Sequence, residues 1–237
     1  LGDHTPVLLA FSGGKDSTLA LLRLREERIP VLSLLVTITE GYDRVTMHGV
    51  RRELLALQAS ALGIPVDFVP IPENSSNETY EQRMAERLLF WRERGVSAVA
   101  FGDIFLEDIK NYRIEQLSRI GMKALFPIFG EDSSLLARGF VQRGFEAVVV
   151  SSNTRLLPPG SAGKRYDQHF LDHLPAEVDP CGERGEFHTF VYAGPLFRKP
   201  VPFRMGERVI RSYQHPGGVG DQTPYEFVDL LPVDETG

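Results

Sequence analysis

Val7-Leu8-Leu9-Ala10-Phe11-Ser12-Gly13-Gly14-Lys15-Asp16-Ser17 is the stretch on which the fold turns. Five apolar residues in succession predict a strand buried on both faces. A polar glycine turn follows at once, and a helical segment runs from about Asp16 to Glu27. A buried strand that passes through a tight turn into a helix opens a βαβ unit.

The same alternation repeats outward. Residues 31–37 (VLSLLVT), 66–69, 96–101 (VSAVAF) and 123–126 read as further buried strands. Between them, Met47, Val50, Leu54, Leu57 and Ala61 fall on one helical face that Gly63 ends. Asn74 to Asn77 is a capping-prone polar stretch, followed by the stripe Tyr80, Met84, Leu88 and Trp91, which Gly95 closes. A fourth helix is expected near Glu107 to Ile120. The reading is an α/β fold: a parallel five-stranded sheet flanked by helices, with right-handed crossovers. Ligands of such sheets bind at the carboxyl ends of the strands, so the segments after Phe11, Thr37 and Phe101 should share a crevice. The second half changes character. Residues 133–142 read as a helix, 145–150 as a strand, and a Gly- and Pro-rich stretch extends to about Pro180. Strand-like pieces follow at 187–192, 209–213 and 227–230, with a mobile loop expected at 215–223. This predicts a smaller mixed α/β C-terminal domain, residues 128–237, behind a first domain of residues 1–127.

Of 237 residues, 42% are hydrophobic and 24% charged, which suits a globular chain with a buried core. The formal net charge of −6 weighs against a dedicated nucleic-acid binder, and no nucleic-acid partner is expected. The single cysteine, Cys181, rules out a disulfide within the chain and a Cys-rich zinc site, and suits a reducing cytoplasm. No apolar run approaches ~18 residues, so no membrane partner is expected. The run Val7 to Phe11 is too short for a secretory signal, and Leu1 in place of Met reads as a trimmed start.

Ser12 to Ser17 (SGGKDS) has the chemistry of a phosphate cradle. Gly13 and Gly14 let the backbone approach a phosphate closely. Loop N–H groups and the positive end of a helix attract an anion. Lys15, read as a charge on a surface loop, and the hydroxyls of Ser12 and Ser17 add donors. Asp16 either caps the helix or holds Mg2+ beside the phosphates. The spacing is neither that of a Walker A loop nor that of a G-x-G-x-x-G dinucleotide loop.

SGGKDS after the first strand resembles the signature of the PP-loop ATP pyrophosphatases, whose fold is the HUP-like (adenine nucleotide alpha hydrolase-like) sheet. The resemblance implies that the loop holds the pyrophosphate end of ATP, with Mg2+, while a substrate nucleophile attacks the α-phosphate. Further stretches narrow the family. These are Met47 to Arg51 (MHGVR), Gln58-Ala59 with Leu62-Gly63-Ile64-Pro65, and Phe101 to Asp108 (FGDIFLED) with Tyr112-Arg113. They are joined by Gly163-Lys164-Arg165 with Asp167 and by Asp179 to Phe190 (DPCGERGEFHTF). Together they resemble the diphthine–ammonia ligase family, most nearly its bacterial relatives, over nearly the whole chain. Arg184 departs from the family's G-E-N-G-E-F pattern, which puts a specific role of that side chain in doubt. The resemblance implies adenylation of a carboxylate, followed by displacement of AMP by ammonia. ATP and ammonium are then the small-molecule partners. The protein substrate is elongation factor 2 in an archaeal or eukaryotic source, and stays open in a bacterial one. A homodimer also stays open.

The remaining candidates each carry two readings. Gly102 and Asp103 lie where the crevice should be; Asp103 holds Mg2+ or orients a ribose, or else caps a helix. Thr37 and His48 are placed on the nucleotide, His48 with a surface or capping role as its alternative. Glu107 and Arg113 are either functional or a solvated helix face. Glu183 and Glu186 around Gly185 are paired carboxylates suited to binding Mg2+ or ammonium, or to taking a proton from it, or else a plain acidic turn. His188 is a base or a packing residue, and Arg165 meets a phosphate or carboxylate or is plain surface. Cys181 reads as a packing residue rather than a glutaminase nucleophile, which makes free ammonium the nitrogen source. Two other functions compete: a PP-loop enzyme acting on tRNA or another acceptor, and a nucleotide-binding sensor without turnover.

Overall fold

The computed structural model describes residues 5–45, 48–73, 75–214 and 222–233. Met47, Asn74 and most of the 215–223 loop therefore lie outside the described residues. The first half runs β1 (Val7–Ala10), α1 (Lys15–Glu26), β2 (Val31–Thr39), β3 (Arg44–Val45), α2 (Arg52–Leu62) and β4 (Val66–Ile71). It continues with α3 (Asn77–Arg92), β5 (Ala98–Ala100), α4 (Glu107–Arg119) and β6 (Lys123–Leu125).

Strand β1 lies between β2 and β5, and the pairs β1–β2, β1–β5, β2–β4 and β5–β6 are all parallel. The five expected parallel strands are present, and the two-residue β3 adds an antiparallel sixth against the end of β2. Val7, Leu8 and Leu9 are fully buried, as strands covered by helices on both faces require. The chain leaves β1 toward β2 on one side and returns through β5 on the other. The strand order therefore reverses at β1, which places the loops after β1 and β5 side by side at the carboxyl ends where such sheets bind ligands.

Two details differ from the sequence reading. Helix α2 begins at Arg52, because residues 48–51 are extended or turning and its expected first turn is absent from them. Strand β2 continues to Thr39, so Thr37 sits inside the strand, paired with Val69, rather than at a loop.

The second half carries α5 (Ser133–Gln142), β7 (Glu146–Asn153), α6 (Gln168–Asp172), β8 (Phe187–Ala193), β9 (Phe203–Gln214) and β10 (Gln222–Pro232). Its four strands form an antiparallel sheet in the order β8-β7-β10-β9. Strands β9 and β10 are longer than expected. Arg204, Glu207, Arg208 and Arg211 break up any apolar run in β9, and Pro224 and Pro232 in β10 weaken the strand signal. The two halves share a core: Leu9, Val36 and Leu54 of the first sheet's side belong to one buried cluster with Val148, Phe190 and Leu230 of the second. Among the described residues, no helix is long and apolar enough to cross a membrane.

Candidate active site

The glycine loop is held from outside by the second half of the chain. Gly13 takes φ +82°, a left-handed conformation that glycine adopts without strain. Its carbonyl accepts from Gln58 Nε2 at 3.0 Å and from the Val191 N–H at 2.9 Å. Gln58 Nε2 also donates to the Val191 carbonyl at 2.7 Å, so one buried amide ties the loop to β8. The Lys15 N–H donates to Thr189 Oγ1 at 3.1 Å. Inside the turn, the Gly14 carbonyl accepts from Ser17 Oγ at 3.0 Å and Thr18 Oγ1 at 2.9 Å, and Ser12 Oγ takes the Gly14 N–H at 3.3 Å. The loop is thus shaped by side chains at positions 58 and 189 that the sequence reading did not assign to it.

Lys15 is not the surface charge expected of it. Its side chain is only 2% exposed and turns beneath the loop. There Nζ donates to Asp16 Oδ2 at 2.9 Å and lies 5.3 Å from the Phe187 ring centre and 5.8 Å from that of Tyr166. Burial works against the Lys15 charge, but Asp16, with Glu183 nearby, more than offsets it and holds the ammonium above its ordinary range. The second oxygen of Asp16, Oδ1, is buried and has no hydrogen-bond partner.

The segment after β5 closes over the start of α1. A Cβ at Gly102 would fall 2.8 Å from the Asp16 carbonyl carbon and 2.9 Å from the Ser17 nitrogen, so only glycine permits this approach. Asp103 is gripped by Arg113 through Nε at 2.6 Å and Nη2 at 3.0 Å. The N–H groups of Ile104 and Phe105 donate to Glu183 Oε1 at 2.8 and 3.4 Å, which draws the second motif onto this loop. Burial of Glu183, with Asp16 and Asp103 near it, outweighs those donors and pushes its carboxyl up to about 7.

The segment from Asp179 to Glu186 is knitted by its own carboxylates. Asp179 Oδ2 accepts from the N–H groups of Cys181 at 3.1 Å and Glu183 at 3.0 Å. Glu186, 2% exposed, accepts from Asp179 N–H at 3.0 Å through Oε1 and from Arg184 N–H at 2.9 Å through Oε2. Both Glu186 oxygens are therefore engaged with backbone, and the geometry makes it a brace for the loop that carries Glu183. Cys181 is buried against the Ser133 carbonyl, and burial pushes its thiol far up, which leaves it an unreactive packing residue.

His48 and His188 come together beside the loop, ring centres 4.3 Å apart. A Cβ at Gly14 would lie 3.4 Å from His48 Cε1, which puts the pair against the turn. Burial and Lys15 lower His188 to about 4; burial, His188 and Lys15 hold His48 well below its usual range. Both rings are neutral at neutral pH, and His48 Nδ1 is buried without a partner. Among the described residues no group of three or more His, Cys, Asp or Glu side chains is disposed to hold a metal by itself. The structure thus gathers Ser12 to Ser17, His48, Gly102, Asp103, Glu183 and His188 around the glycine loop, and leaves Thr37 within β2.

The family model of the diphthamide synthase N-terminal domain matches residues 5–124, and that of the C-terminal domain matches residues 132–215. A diphthine–ammonia ligase of Schizosaccharomyces pombe is 26% identical over 215 residues, covering 82% of this chain and 35% of that protein. Those of Bos taurus and Homo sapiens are each 24% identical over 229 residues, covering 87% of this chain and 85% of each protein. The chain spans about a third of the length of the fission-yeast relative. With both domain models matched in order, and the glycine loop and the acidic motif falling one in each, the chain belongs to the diphthamide synthase family.

Proposed function

We propose that the chain is an ATP-dependent ligase that adenylates a substrate carboxylate, releases pyrophosphate and joins the activated acyl group to ammonia. The observation that carries this reading is the docking of β8 on the glycine loop, at Gly13–Val191 and Lys15–Thr189. It supports the reading by bringing a phosphate-type loop against the strand that follows the carboxylate-rich motif.

Nucleotide transfer needs positioning and charge neutralisation more than covalent help. Ser12 offers its hydroxyl to the pyrophosphate end of ATP, Gly13 and Gly14 let the phosphates come close, Ser17 holds the turn through the Gly14 carbonyl, and the start of α1 adds its dipole. Lys15 acts from below through Asp16, and Gly102 lets the opposite wall close. Asp103, already held by Arg113, is assigned to the ribose. The unpartnered Asp16 Oδ1 fits Mg2+, which binds through one or two carboxylates plus substrate phosphates. When bound, Mg2+ would neutralise charge on the phosphates.

In the first step the acceptor carboxylate bonds to the α-phosphorus and pyrophosphate leaves with the electron pair. In the second, Glu183 takes a proton from ammonium, and ammonia forms the C–N bond as the acyl–oxygen bond to AMP breaks. The proton left on the new amide nitrogen passes to neutral His188. The relatives are named diphthine–ammonia ligases, and we assign diphthine on elongation factor 2 as the acceptor. Residues 1–127 then hold the nucleotide, and residues 128–237 the acceptor and ammonia.

Incubation with ATP and diphthine-bearing elongation factor 2 tests this. Pyrophosphate exchange into ATP without ammonium, and amide with stoichiometric AMP once ammonium is added, are the expected results. ADP as the product, or no exchange with the acceptor present, would overturn it.

A further inference from the structure

A cavity of about 300 Å³ lies in the second half, away from the glycine loop. Its volume is at the lower end of those that hold small molecules. Leu157, Phe170 and Leu174 give it an apolar floor. Phe170 packs on its other side against Tyr166 and Phe187, at 5.7 and 5.4 Å between ring centres, and those two rings cover Lys15. Phe170, with Tyr166 and Phe187 behind it, therefore stands between this cavity and Lys15.

The rim is cationic although the chain as a whole carries a net charge of −6. Lys164 and Arg165 are exposed and, among the described residues, neither makes an ion pair or a side-chain hydrogen bond. His169 and His173 stack with ring centres 4.1 Å apart, and His173 Nδ1 is paired with the His169 carbonyl, which leaves both Nε2 atoms for a ligand. Asp167 is the one carboxylate on the rim, and its Oδ1 is engaged by the Phe170 N–H at 2.9 Å. Two cations with no side-chain partner among the described residues and two imidazoles around an apolar floor match a short apolar body that ends in an anion.

We propose that this cavity is a second ligand site, one that takes a small organic anion with its carboxylate or phosphate on Lys164 and Arg165 and its apolar body on Leu157, Phe170 and Leu174. The site stands on its own residues and does not depend on the reaction assigned to the glycine loop.

The test follows the histidine ring signals of the full chain by NMR while sodium butyrate or butyl phosphate is added. Saturable movement of His169 and His173, with His48 and His188 unmoved, is the expected result, and the probe that binds more tightly identifies the head group. In K164Q/R165Q, whose altered side chains are exposed, binding should weaken ~10-fold or more, the loss expected on removing charged hydrogen bonds. Unchanged His48 and His188 signals report that the variant is folded. No saturable movement with either probe into the millimolar range, or equal binding by the double variant, would overturn the site.

Discussion

At the scale of single residues, Glu183 links the two motifs and carries the sharpest pH signature. Its carboxyl is raised to about 7 by burial among Asp16 and Asp103, so it is half ionised near neutrality. In the role of base proposed above, it requires the amidation rate to climb as pH rises through about 7. Glu183→Gln keeps an oxygen for the Ile104 N–H but cannot take a proton. Its rate should fall ~10²-fold or more, with that limb of the pH profile gone. Stability moves the other way. A folded-state value above the unfolded one stabilises fully below the unfolded value, and that contribution is lost as pH rises through the folded one. Between about 4.5 and 7, the melting temperature of Glu183→Gln should therefore gain on the parent. A variant that keeps both the parent rate and the parent pH profile would remove Glu183 from the chemistry.

At the scale of elements, β8 matters less as the edge of its own sheet than as the wall of the glycine loop. Thr189 is 1% exposed, and its hydroxyl is the partner of the Lys15 N–H. Thr189→Val keeps the shape but deletes that acceptor, leaving a buried donor unpaired at a cost of ~1–3 kcal/mol. ATP affinity should fall ~10-fold, and Thr189→Ser should restore most of it. Isothermal titration with a non-hydrolysable ATP analogue measures both, and equal affinities for Val and Ser would show that the contact does not shape the loop. This role was hidden in the sequence because Thr189 lies far along the chain from Lys15 and reads as an ordinary alternating strand residue.

At the scale of the molecule, the halves are joined by ion pairs as well as by the shared core. Asp229 of β10 receives Arg44 at 2.8 Å and Arg51 at 2.7 Å, on either side of the turn that precedes α2. Burial disfavours the Asp229 charge, but the two guanidinium groups more than offset it and hold its carboxyl at about 2. A depressed carboxylate contributes stability that is present above its unfolded value and lost as pH falls toward the folded one. Asp229→Asn should thus cost on the order of 1–2 kcal/mol at neutral pH, with partial exposure limiting the effect. The gap in melting temperature from the parent should close between about pH 4 and 2. A gap that is constant over that range would mean the pair does not hold the halves together.

Local chemistry was enough to read the parallel sheet, the glycine turn and the acidic motif from the chain. Apolar runs such as Val7 to Phe11 demand burial, and Gly13 marks a turn whatever surrounds it. Only the tertiary structure decided that Lys15 turns inward beneath an aromatic layer, that Glu186 is spent on its own backbone, and that Thr37 stays inside a strand. Burial, and the partners that burial brings from distant parts of the chain, set the direction and charge of those side chains, and neither is written in local spacing.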